Sequence, residues 1–254
     1  MKNSSKIILI TGATAGFGEA TARLFAAEGW RLILTGRRKE RLERLGAELK
    51  EQFGTHTLLL PFDLRDPDAT KKSLDEILHD WKSIDVLVNN AGLAAGLSTL
   101  QEGSSADWDS MIDTNLKGLL QVTRCIAPGM IERKRGHIIN IGSIAGHYAY
   151  SKGNVYSATK AAVGSLSRSM RIDLLPHNVR VTLIAPGAAE TEFSLVRFGD
   201  EYAAKKVYQG YDPLTARDIA EIIYFAATRP DHVTLNEIEV TPTAQANPYY
   251  LERR

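Results

Sequence analysis

Cysteine is almost missing from this chain: Cys125 is the only one in 254 residues. An intrachain disulfide is therefore impossible, and a thiolate metal site lacks partner ligands. The six histidines, His56, His79, His137, His147, His177 and His232, are dispersed. None pairs with another at ligand spacing, so no metal is expected. Net charge is nearly absent too, at +1. That removes any global pull toward nucleic acid or an anionic membrane. Long apolar runs are missing. Ile7–Ile10 stops at Thr11-Gly12, short of a signal-peptide core or a membrane span. These absences describe a cytoplasmic chain with no nucleic-acid or membrane partner. There is no repeat, low-complexity block or Pro/Gly/Ser linker. Residues 1–254 are expected to form a single domain, and the length suits one α/β core.

What is present is an alternation. Short β-branched and aliphatic runs (Ile7–Thr11, Leu32–Thr35, Leu58–Phe62, Val86–Val88, His137–Ile141, Val179–Ile184, Leu235–Val240) alternate with longer amphipathic ones. The latter predict helices over Phe17–Glu28, Arg38–Phe53, Pro67–Trp81, Ser105–Thr114, Leu116–Arg133, Val155–Leu175 and Thr215–Thr228. The strands are apolar with little alternation, as expected for a parallel sheet covered on both faces. Glu192–Pro213 shows no clear period. A mobile substrate loop is expected at about 188–213, and a tail at 241–254.

The first strand runs into Gly12-Ala13-Thr14-Ala15-Gly16-Phe17-Gly18, and a helix follows. Glycine lets backbone N–H groups approach an anion, and the helix start adds partial positive charge. A merely close-packed turn is the other reading. The second strand ends Thr35-Gly36-Arg37-Arg38, where a site selective for NAD places a carboxylate. Two guanidinium groups suit a 2′-phosphate instead, which favours NADP(H); a solvated basic helix start is the alternative.

Tyr156 and Lys160 are four residues apart on one predicted helix face. An ammonium near a phenol favours the phenolate and lowers its pKa, giving a proton donor or acceptor near neutral pH. Ser143, at the end of the fifth strand, could hold a substrate oxygen against Tyr156, or simply cap a turn. Asn115 lies mid-helix, where it could bend the helix and hold a water, or be a buried, satisfied amide.

Thr11–Gly18, Asp63, Asn89-Asn90-Ala91-Gly92, Asn115, Ser143, Tyr156-x-x-x-Lys160 and Pro186-Gly187, in this order, resemble the short-chain dehydrogenase/reductase family over nearly the whole chain. The resemblance implies a single Rossmann-type, doubly wound parallel sheet of order 3-2-1-4-5-6-7, with helices on both faces. It implies Tyr156 as acid/base, with Lys160 lowering its pKa and binding the nicotinamide ribose. Ser143 would polarise the substrate carbonyl, and Asn115 would hold a proton-relay water. Cofactor contacts would come from Gly12, Thr14, Gly16, Phe17 and Gly18, from Arg37 and Arg38, and from Asp63 and Leu64 beside the adenine. Asn90, Ala91 and Gly92 would line the cleft, with Pro186, Gly187 and Thr191 at the nicotinamide end.

Within the family, Thr191–Phe198 in particular looks like the NADP-dependent 3-hydroxy acid (serine, allo-threonine) dehydrogenases. Such an enzyme would oxidise the 3-hydroxyl of a small acid to the 3-oxo group. Substrate contacts would then be Ser143, Tyr156 and Arg197, the last holding the carboxylate; a surface or interface arginine is the other reading. The alternative function is a carbonyl reductase for another ketone or a 3-oxoacyl thioester. By the same resemblance the chain would be a homotetramer, with a dimer possible, packed through the helices holding Asn115 and Tyr156. Its apolar tail would cover a neighbouring subunit or its own.

Overall fold

Ile7–Ile10 (β1) is four aliphatic residues, all buried. Successive side chains of a strand point to opposite faces, so Ile8 and Ile10 enter one core and Ile7 and Leu9 the other. A strand apolar on both faces must be covered on both, and here it is. In the computed structural model, which describes residues 6–77 and 79–254, β1 lies in a seven-stranded parallel sheet. The other strands are Arg31–Gly36 (β2), Thr57–Pro61 (β3), Val86–Asn89 (β4), Gly136–Ile141 (β5), Val179–Pro186 (β6) and Glu237–Val240 (β7). Their spatial order is β3-β2-β1-β4-β5-β6-β7, as expected. Ile8 sits opposite both Leu32 and Val86, so the order reverses at β1. Ligands bind open α/β sheets at such a reversal, beyond the carboxyl ends of the strands.

One face is covered by Gly16–Ala27 (α1), Lys39–Phe53 (α2) and Ala216–Ala227 (α9). There Phe25 packs edge-on against Trp30 and Tyr224, with ring centres 5.0 and 5.2 Å away. The other face is covered by Pro67–Asp75 (α3), Leu119–Glu132 (α5) and Asn154–Leu174 (α6). Ends follow local chemistry. Asp66 caps α3 by accepting from the Asp68 and Ala69 N–H groups. Gly54, at φ +66, closes α2 in the left-handed conformation.

Three expectations are corrected. The third helix stops at Asp75, and a 3-10 turn, His79–Trp81, follows; Leu78 lies outside the described residues. Acidic Asp75 and Glu76 oppose the negative end of the helix dipole there. Between Ser105–Ile112 (α4) and α5 the chain does not break, but widens into a π turn, Asp113–Gly118, which carries Asn115. The unpatterned stretch after β6 holds two helices, Glu192–Phe198 (α7) and Glu201–Val207 (α8). Thr191 and Asp200 cap them, and a two-residue ladder of Ala189–Glu190 with Leu214–Thr215 closes the excursion. Among the described residues no helix is long and apolar enough to cross a membrane.

Candidate active site

One cavity of about 560 Å³ opens at the carboxyl ends of β1, β4, β5 and β6. The cofactor and substrate positions expected from sequence all line it except Gly18. Gly18 works from behind: a Cβ there would lie 2.4 Å from the Gly12 carbonyl oxygen and 2.6 Å from Asn90 Nδ2. Its missing side chain lets the first helix pack against the turn. Gly12 and Gly16 hold φ of +67 and +53, a conformation that disfavours other residues. Asn90 Nδ2 donates to the carbonyls of Thr11 and Gly12 at 2.8 and 3.2 Å, pinning the turn to the end of β4.

The two arginines after β2 differ. Arg38 is engaged: Nε and Nη2 donate to Thr14 Oγ1 at 3.1 and 3.0 Å, and Nη1 to Glu192 at 2.9 Å. Arg37 makes only a loose 3.9 Å pair with Asp63 among the described residues, and its side chain is 55% exposed. Burial raises the Asp63 carboxyl, but Arg65 overrides that and keeps it below the usual range: the Arg65 backbone N–H donates to Oδ1 at 3.0 Å, Nε to Oδ1 and Oδ2 at 3.2 and 3.0 Å, and Nη2 to Oδ2 at 2.7 Å. The wall fits a dinucleotide on its own terms. Two positive-φ glycines form a turn at a helix start, a guanidinium lies open beside it, and Thr114 Oγ1 is buried at the wall with no partner among the described residues.

Tyr156 and Lys160 are both buried on α6. Lys160 Nζ donates to the Ile141 carbonyl at 2.9 Å and stands 5.9 Å from the Tyr156 ring centre. Burial pushes the Lys160 ammonium down to about 8. The expected lowering of the Tyr156 pKa by Lys160 is not what the fold produces. Burial pushes the phenol above its ordinary value, and the Ser143 hydroxyl and the Arg197 charge only oppose that rise. Desolvation wins because the ring is enclosed, with Phe193 packed 5.6 Å away, centre to centre. Ser143 both lines the cavity and caps the next turn: its Oγ accepts from the Ala145 N–H at 3.1 Å and donates to Pro186 O at 3.3 Å.

Asn115 is off the cavity wall. Its amide donates to Leu93 O and Thr159 Oγ1 at 2.9 and 3.1 Å and accepts from the Leu93 N–H at 2.9 Å. The satisfied-amide reading describes its side chain, which ties the loop after β4 to α6. Arg197, on α7, does reach the site. Its guanidinium carbon lies 5.8 Å from the Tyr156 ring centre, Nη1 donates to Tyr150 OH at 2.8 Å, and Nε to Gly96 O at 3.2 Å.

Sequence reading missed Tyr150, Glu192 and Gln245. Tyr150 lies in the loop between Ser143 and Tyr156, a position that was itself a signal. Gln245 belongs to the tail, which docks on its own chain. Gln245 Oε1 accepts from the Ala188 N–H at 2.8 Å, Arg253 Nη2 donates to Val207 O at 3.1 Å, and the Arg254 N–H to Gly210 O at 2.7 Å.

A family profile described as short chain dehydrogenase matches residues 6–200. The chain is 50% identical to the NADP-dependent 3-hydroxy acid dehydrogenase YdfG of Salmonella typhi, over 94% of this chain and 96% of that one. It is 49% identical to sulfoacetaldehyde reductase 2 of Chromohalobacter salexigens, over 95% and 96%. The solved closed form of serine dehydrogenase complexed with NADP+ superposes with a TM-score of 0.91 at 47% identity, covering 98% of this chain and 99% of that one. A glycine turn, a buried Tyr-x-x-x-Lys pair and likeness of this extent lead to one conclusion: the chain belongs to the short chain dehydrogenase family.

Proposed function

We propose that the protein is an NADP-dependent oxidoreductase of small anionic alcohols and carbonyls, with 3-hydroxy acids of the serine and 3-hydroxypropionate type as its main substrates. The observation that carries this is Arg197. It is a cation beside Tyr156 that makes no ion pair among the described residues. A carboxylate one carbon from the reacting carbon would satisfy it. A small sulfonated aldehyde presents its anion at the same remove, so one arginine accounts for the substrate classes named for both relatives.

NADP, when bound, donates or accepts the hydride. The chain's residues do the rest. The glycine turn and Arg37 hold phosphate, and Thr14, Asn90 and Arg38 keep that turn in shape. Lys160 presents an ammonium to the ribose side of the site. Tyr156 is the proton donor toward a carbonyl oxygen, and burial keeps it protonated until one arrives. In the oxidative direction the Tyr156 phenol first releases its proton to solvent, and the phenolate oxygen then accepts the proton of the substrate hydroxyl. The Ser143 hydroxyl and the Arg197 charge favour that phenolate against the effect of burial. Ser143 holds the substrate oxygen in line. Leu120 on α5 and Ile172 on α6, both exposed apolar residues, support a homotetramer packed through those helices. The single cysteine supports a cytoplasmic setting.

The test is a panel of L-serine, 3-hydroxypropionate, uncharged alcohols and acetoacetyl thioester, followed by nicotinamide absorbance. Arg197→Met should raise KM for the acids about 10- to 100-fold, the scale of a lost charged hydrogen bond, and leave uncharged alcohols nearly unchanged. Equal effects on both, or turnover confined to the thioester, would sink the assignment.

A further inference from the structure

Glu192 stands where the two sides of the cleft meet. Its carboxylate accepts from Arg38 Nη1 at 2.9 Å and from Arg41 Nη1 at 2.7 and 3.0 Å. Arg38 spends its other donors on Thr14, inside the glycine turn. One continuous path therefore runs from the phosphate turn, through Arg38, to the first residue of α7. That helix carries the substrate-side groups: Phe193, packed on Tyr156, and Arg197 near its end.

Helix α7 has seven residues. Isolated helices of that length do not hold themselves together, so its place is set by what grips it. Thr191 caps its start, and Arg197 is tied to Tyr150. Among the described residues, Glu192 supplies the only ion pairs from α7 to the rest of the molecule. Arg38 and Glu192 both line the cavity, so their pair joins two parts of its wall, and Arg41 adds its pair from outside that lining.

We infer that Glu192 is a positioning residue: it clasps the substrate lid to the phosphate-binding side of the cleft, so that retention of the cofactor and placement of Arg197 depend on one contact. The clasp rests on reading this cleft as the cofactor site. It does not depend on which substrate is correct. Each pair is about 40% exposed and individually weak, so the effect is a modest multiple rather than an on/off switch.

Glu192→Gln keeps the size of the side chain and the Thr191 cap. The first readout is NADPH release from the binary complex, by stopped-flow fluorescence with excess NADP+ as displacer. The second is amide hydrogen exchange of residues 192–198 in the cofactor-free chain. Release should be about 3- to 10-fold faster and exchange faster in the same range. Arg41→Gln should act in the same direction, and the double variant should go little further than either single one. High salt should narrow the gap to wild type. Unchanged exchange with unchanged release overturns the clasp. Slower release overturns it as well, and marks Glu192 as a competitor of the 2′-phosphate for Arg38. If wild type fails to bind NADPH, the cofactor reading falls, and exchange in the free chain still decides the clasp.

Discussion

The Tyr150 hydroxyl accepts from Arg197 Nη1 at 2.8 Å across 47 residues of chain, and the same guanidinium gives Nε to the Gly96 carbonyl at 3.2 Å. Tyr150 comes from the loop before α6, Gly96 from the loop after β4, and Arg197 from the lid. Three separate segments therefore fix one charge beside Tyr156. A long side chain on a short lid helix would otherwise sample many rotamers, and each would place an anion differently.

We predict from this that Tyr150→Phe loosens the charge without removing it. KM for 3-hydroxypropionate should rise about 2- to 10-fold, the scale of one ordinary hydrogen bond, while kcat falls less and uncharged alcohols are unaffected. Steady-state kinetics on the two substrate types measure it. A fall in kcat alone, alike for both types, would show that Tyr150 serves the Tyr156 chemistry and not the anion.

Arg37 and Arg38 looked equivalent in the sequence, and the fold separates them. Arg38 is held by Thr14 and Glu192, and Arg37 is nearly free. We predict that Arg37→Gln weakens NADP+ binding at least about tenfold and leaves NAD+ binding unchanged, because only the former carries the 2′-phosphate. Arg38→Gln should weaken both, since it slackens the turn that every dinucleotide shares. Equilibrium titration of both cofactors separates the two. An Arg37 variant with unaltered NADP+ affinity would move the phosphate contact elsewhere.

The sequence displayed whatever depends on local pattern. Most of the strands were legible because they are short, largely apolar runs, the last one, Glu237–Val240, alternating instead with acids at the sheet edge. The glycine turn was legible because it sits between a strand and a helix. The lid helices were not, since seven residues span under two turns and leave no period to detect. Their caps, Thr191 and Asp200, and the stop at Gly199 were the signals available. The Glu192 pairs join residues 154 and 151 apart, and nothing local announces a contact of that kind. The Tyr156 pKa was read from the neighbouring lysine alone, although burial outweighs it. Only packing reveals how completely a side chain is enclosed.

Lys160 supplies a stability test whose sign follows from its surroundings. Burial lowers its folded pKa to about 8 from an unfolded value of 10.5. Below pH 8 both states hold the proton, and the folded state bears the full cost of a buried ammonium, about 3 kcal/mol. Between pH 8 and 10.5 the folded state sheds the proton while the unfolded chain keeps it. Wild-type stability from this group therefore rises with pH. Lys160→Met abolishes that term, so the stability of wild type relative to the variant should climb by about 2 kcal/mol between pH 6 and 9.5. The other titrating groups cancel in the difference. Urea unfolding of both proteins across that range measures it. Parallel profiles would mean that the hydrogen bond to Ile141, or water reaching Nζ, keeps the ammonium near its ordinary pKa. The lysine would then carry full charge at any working pH, and the pH dependence of turnover would have to come from Tyr156 alone.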